Sequence, residues 1–83
     1  MQYLLTYRSL TYAQRAARVL ERAGVTGTVS RVPKAAATRG CAYCVIVSER
    51  HKGRALSVLS ASGMSPERVL RRGQDGALTE VTE

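Results

Sequence analysis

Residues 42–48 read Ala42-Tyr43-Cys44-Val45-Ile46-Val47-Ser48, and this stretch decides the fold. It is apolar at odd and even positions alike, so a strand built from it has no face suited to water. That pattern belongs to a central strand covered on both sides. Side chains alternate along a strand, which groups Tyr43, Val45 and Val47 on one face and Ala42, Cys44 and Ile46 on the other.

The neighbouring segments supply partners for that strand. Upstream, residues 34–40 (KAAATRG) read as a loop whose three alanines could form one helical turn. Before it, residues 25–32 are β-prone, with Gly27 a weak point or bulge and Pro33 a stop. Residues 10–23 form a helix, with Ala13, Ala16, Ala17 and Leu20 at helical spacing. Ser9 or Thr11 can cap it, Thr11-x-x-Gln14 fits a capping box, and Gly24 stands at the left-handed position beyond its end. Residues 2–7 (QYLLTY) are a strand with Tyr3, Leu5 and Tyr7 on one face and Leu4 and Thr6 on the other. Downstream, a helix over residues 49–62, capped by Ser48, carries Ala55, Leu56, Val58 and Leu59 inward. Gly63 and Pro66 end it. Residues 67–72 are a last short strand, and residues 73–83 a short acidic C-terminal tail, either mobile or added at a sheet edge.

The order is strand, helix, strand, strand, helix, strand. It predicts an α+β, ferredoxin-like βαββαβ domain over residues 1–72: a four-stranded antiparallel sheet with both helices on one face. The other face is expected to show Tyr3, Leu5, Tyr7, Tyr43, Val45 and Val47. An apolar patch of that kind favours a homodimer through the open sheet face, unless Leu78 and Val81 of the tail fold back over it.

Length and composition set the outer limits. At 83 residues and 9.0 kDa the chain holds one domain, and one this small buries only about 60% of its unfolded surface. With no Phe or Trp, its core must be Leu, Val, Ile and Ala. No apolar run approaches the roughly 18 residues of a membrane span, and no signal peptide is evident, so a cytoplasmic protein with reduced thiols is expected. All 13 bases lie in residues 1–72 beside three acids, Glu21, Glu49 and Glu67, a net of +10. Asp75, Glu80 and Glu83 give the tail its sign. The positive domain suits anionic partners, although arginine and alanine richness also follows from a GC-rich genome.

The chemistry concentrates in Arg39-Gly40-Cys41-Ala42-Tyr43-Cys44. Cys41 follows a glycine at the mouth of a strand, with Arg39 and Lys34 close in sequence. Nearby cations favour the thiolate, the form that reacts. Cys44 lies in mid-strand, where a cysteine is commonly a small buried hydrophobe. As Cys-x-x-Cys the pair admits three readings. A thioredoxin-like motif calls for a helix after the first cysteine, and a strand follows here. Zinc calls for four ligands, and Cys41, Cys44 and His51 fall one short within a chain, so neither a metal site nor a cofactor is expected. The third reading makes Cys41 a carrier of a reactive group and Cys44 its resolving thiol, although strand alternation points them to opposite faces.

The same residues approach the pattern of an RNA-recognition motif: Arg39, Gly40, Ala42 and Tyr43 fit. Cys41 and Ile46, however, stand where stacking aromatics are needed. Single-stranded RNA binding is therefore the second reading, and it requires Tyr3, Tyr7 and Tyr43 exposed together. A structural dimer without chemistry is a third. His51, in the charged turn Glu49-Arg50-His51-Lys52, reads as solvated.

Residues 3–72 resemble a family of small bacterial domains of unknown function described as selenium/sulfur carrier-like. Ser9 and Ala13 fit the opening of its helix, and Ala13, Ala16, Leu20, Ala23, Gly24 and Val25 follow the helix pattern, with Ala17 in place of a Glu. Pro33-Lys34 matches a Pro-Arg, and Gly40-Cys41-Ala42-Tyr43 matches Gly-Cys-Gly-Tyr. Ala37 and Thr38 depart from a usual Ser, and Cys44 is additional. The resemblance implies a carrier or accessory protein rather than an enzyme. Cys41 would bear sulfur or selenium as a persulfide-type group, Lys34, Arg39 and Gly40 would form an anion-binding surround, and the partners would be donor and acceptor proteins.

Overall fold

In the computed structural model, which describes residues 1–33 and 42–81, strand β1 (Gln2–Tyr7) lies in the middle of the sheet. It pairs antiparallel with β3 (Tyr43–Ser48) on one side and β4 (Arg68–Arg72) on the other. β2 (Thr28–Arg31) adds outside β3, and β5 (Leu78–Val81) outside β4. The order is β2-β3-β1-β4-β5, every pairing antiparallel. Among the described residues the fold is thus α+β with two helices and five strands, one strand more than expected. The extra strand comes from the tail. Residues 73–77 turn the chain through a hydrogen bond from the Gly73 amide to the Ala77 carbonyl (3.0 Å), and the Asp75 carboxylate accepts from the Ala77 amide at 3.0 Å. Glu80 then accepts from Arg68 Nη2 at 2.9 Å across the new pair.

Helix α1 (Leu10–Arg22) begins at Ser9, whose hydroxyl accepts from the Tyr12 amide. Ser9 therefore caps the helix, and Thr11, inside the first turn, does not. Helix α2 (Lys52–Ala61) follows a short 3-10 turn over Glu49–His51, so the expected single helix from residue 49 is divided. Ser48 makes no capping bond there. Both helices end in the same way. The amides of Gly24 and Val25 bond to the carbonyls of Glu21 and Leu20, and those of Gly63 and Met64 to Ser60 and Leu59. These are Schellman ends, and their φ of +80° and +71° suits glycine.

Both helices cover one face of the sheet. Ala13, Ala16, Leu20, Ala55 and Leu59 pack there on Tyr3, Leu5, Tyr7, Val45, Val47 and Val69. The tyrosines and valines expected on the open face are therefore beneath the helices, and they provide no exposed patch for a dimer. Size explains the direction. α1 presents two alanines and one leucine, which leaves room for rings from the sheet. The opposite face carries Leu4, Cys44 and Leu70, with Val32 beside them and Ile46 and Leu78 packed around. Leu78 of β5 thus joins this second cluster, whereas Val81 packs on the helix-side core.

Gly27 lies against Leu20 of α1 and Val45 of β3. A Cβ there would stand 2.6 Å from Val45 Cγ1 and 3.2 Å from Leu20 Cδ1. Overpacking of this kind costs about 1–3 kcal/mol. Gly27→Ala is expected to lower unfolding stability by that amount in urea titration, with an unchanged slope, whereas Gly53→Ala, which meets nothing, is expected to be neutral or stabilising.

Candidate functional site

The candidate site is reached through the first residues of β3. Ala42 is exposed, and its carbonyl accepts from the Val32 amide at 2.9 Å. Tyr43 points to the helix side, with the Arg31 guanidinium 5.5 Å from its ring centroid. Tyr43 is also opposite Tyr7, the last residue of β1. The described cations at this end of the sheet include Arg31, Arg8 and Arg68, which is opposite Thr6 in register, and Arg8 is 3.7 Å from Glu67 in an exposed pair. A cleft of about 230 Å3 opens nearby, lined among others by Tyr7, Arg8, Tyr12, Met64 and Glu67. The Tyr7 hydroxyl closes its floor by donating to the Met64 carbonyl at 2.6 Å. Lys34, Arg39, Gly40 and Cys41 lie outside the described residues.

Cys44 is described, and its surroundings define what it can do. Its side chain is fully buried, on the face away from the helices, between Ser30 on β2 and Thr6 on β1 in register. Burial pushes its thiol pKa up, and Arg72 opposes this only in part. A neutral, enclosed thiol neither attacks an electrophile nor binds a metal readily. Thr6 beside it is equally buried but satisfied. Its hydroxyl donates to the Arg68 carbonyl (3.2 Å) and accepts from the Arg68 amide (2.9 Å).

Among the described residues no cluster of His, Cys, Asp and Glu could hold a metal ion, and no helix is long and apolar enough to cross a membrane. The RNA-binding arrangement is overturned: Tyr3 and Tyr7 are buried beneath the helices, and Tyr43 is half-buried on the same side. The face away from the helices carries Leu4, Thr6 and Cys44, all fully buried, and a half-buried Ile46, with no stacking rings among them. His51, read as solvated, is half-buried and hydrogen-bonded through Nδ1 to Ser48 Oγ at 3.0 Å. A Ser-x-x-His spacing at a helix start was the available signal for that contact.

These features define a class: a small basic α+β domain with one thiol enclosed in the sheet and a second cysteine just ahead of the central strand pair. The chain belongs to the family described as "Putative Se/S carrier protein-like", which matches residues 2–71. The match stops short of β5, so that strand lies outside the family pattern. Neither the curated proteins nor the solved structures compared with the chain contain a match.

Two outcomes follow from the burial. Under native conditions Cys44 is expected to react with iodoacetamide only at the rate of protein unfolding, well after Cys41, as peptide mass mapping reads directly. Stability is also expected to depend on alkaline pH. Desolvation raises the folded pKa of both Cys44 and Tyr7, so their contribution is complete below the pKa of the unfolded chain and fades as pH rises beyond about 9, where that chain releases protons first. The decline is expected to be shallower in Cys44→Ala.

Proposed function

We propose that this protein carries sulfur or selenium, with Cys41 as the carrier thiol. The observation that bears most weight is the enclosure of Cys44. With that thiol withdrawn into the sheet, the family's chemistry falls to the one other cysteine of the chain. Family membership supports the class of cargo, and the sequence around Cys41 supports its reactivity. Arg39 and Lys34 favour the thiolate, and Arg31 and Arg8 add positive potential at the same end of the sheet.

The transfer balances without an oxidant. The Cys41 thiolate attacks the outer sulfur of a donor persulfide, a new S–S bond forms, and the inner donor sulfur leaves as a thiolate. Cys41 now holds a persulfide. An acceptor thiolate attacks that outer sulfur in turn, and Cys41 leaves as the thiolate it was. Selenium follows the same course through a selenosulfide bond. A resolving role for Cys44 requires β3 to open from Val32, Leu4 and Leu70 so that the thiol reaches its partner. The frame is a ferredoxin-like βαββαβ unit extended by β5. We place the protein in the cytoplasm, where thiols stay reduced, with donor and acceptor proteins as partners.

Intact mass of the chain purified from its host without reductant tests this reading. An adduct of about 32 Da, one sulfur atom, that dithiothreitol removes is the mark of persulfidation, since a sulfinic acid adds the same nominal mass but survives the reductant. The adduct is expected in the wild type and in Cys44→Ser and absent from Cys41→Ser. An adduct that survives Cys41→Ser and is lost in Cys44→Ser would overturn the assignment.

A further inference from the structure

The outward line of α1 is basic and unengaged. Arg15, Arg18 and Arg22 recur at i, i+3 and i+7, all exposed, opposite the buried Ala13, Ala16 and Leu20. Most other described cations have work within the fold. Arg8 faces Glu67 and Arg68 binds Glu80. Arg31 and Lys52 lie over the rings of Tyr43 and Tyr3. Arg54 donates to the Ala23 carbonyl, and Arg72 to Gln2. The three arginines of α1 have no hydrogen bond, ion pair or ring contact with any described residue, and Arg50 and Arg71 are scattered single charges elsewhere. Like charges three and four residues apart on a helix are destabilising. Arg22, in the last turn, gains something from the helix dipole; Arg15 and Arg18 do not.

We propose that this line is a docking face for an acidic surface on the protein that exchanges sulfur or selenium with the chain, an inference that rests on the carrier reading above. The charges span about 10 Å along the helix axis, a length suited to a short acidic ridge on a protein. α1 starts directly after β1, and Tyr7 of β1 faces Tyr43 of β3. A partner lying along the helix therefore has one end at the edge of the sheet where Ala42 enters β3. A protein fits better than a nucleic acid because the sheet tyrosines that would stack bases are buried under the helices. Complementary charge of this kind acts mainly on the rate and specificity of encounter and is weakened by salt.

A polyglutamate peptide serves as the acidic probe, with a short DNA duplex as the comparison, both titrated by amide NMR. The variants are R15Q/R22Q and R50Q/R71Q, which carry the same net charge. The peptide is expected to shift the amides of α1, and its binding is expected to weaken about tenfold in R15Q/R22Q but about twofold at most in R50Q/R71Q. Equal weakening in the two variants, shifts centred away from α1, or tighter binding of the duplex than of the peptide would overturn the proposal. None of these readouts involves Cys41, so their failure leaves the carrier reading untouched. Conversely, a chain without a sulfur adduct removes the carrier reading and leaves the acidic contact measurable.

Discussion

Everything in this structure depends on β1 being paired on both edges and covered on both faces. Gln2–Tyr7 lies between β3 and β4 along nearly its whole length. One side of it buries Tyr3, Leu5 and Tyr7 under two helices, and the other buries Leu4 and Thr6. Full burial of a leucine is worth roughly 1.5–3 kcal/mol, so Leu4 and Leu5, back to back at the centre, are a large share of a small domain's stability. That two-sided demand requires β3 to be apolar on both faces as well. Cys44 is in the sheet for this reason: it is a small side chain that completes the row beside Thr6.

From that constraint follows the separation of the two thiols. A cysteine placed to fill a gap between strands loses the solvation a thiolate needs. The other cysteine, Cys41, precedes the strand in sequence and is flanked there by glycine and cations. The fold needs Cys44 for packing, and the proposed chemistry is assigned to the chain's other cysteine. β5 adds to the same economy. It covers the outer edge of β4, supplies Leu78 to the cluster around Cys44, and ties Glu80 to Arg68.

Much of this architecture was legible in the chain. β1 matched its expected residues because QYLLTY is bounded sharply by Arg8-Ser9, and α1 was readable from its alanine spacing and Gly24. What alternation could not say was which face the helices would take, because period two fixes only which residues share a side. The choice turned on the alanines of α1, which admit tyrosines. β5 was readable only as one of two alternatives for the tail, because Leu78 and Val81 are too few to make a pattern, although Asp75-Gly76 ahead of them is a common hairpin signal. Contacts such as Thr6 with Arg68 and Tyr7 with Met64 depend on register between segments about 60 residues apart, and no local pattern encodes that. Of the candidate site, Cys44 was legible as a buried mid-strand residue. Cys41 was singled out by its glycine and its neighbouring cations, and its cargo came from the family resemblance alone.

The central claim is that the fold divides the two cysteines into an enclosed thiol and a reactive one. It is tested most directly by following the Cβ carbon shift of each cysteine by NMR as pH is raised on the intact chain. The account predicts that Cys41 ionises first and that Cys44 stays protonated until the chain begins to unfold. Ionisation of Cys44 ahead of Cys41, or of both together in the folded protein, would contradict it.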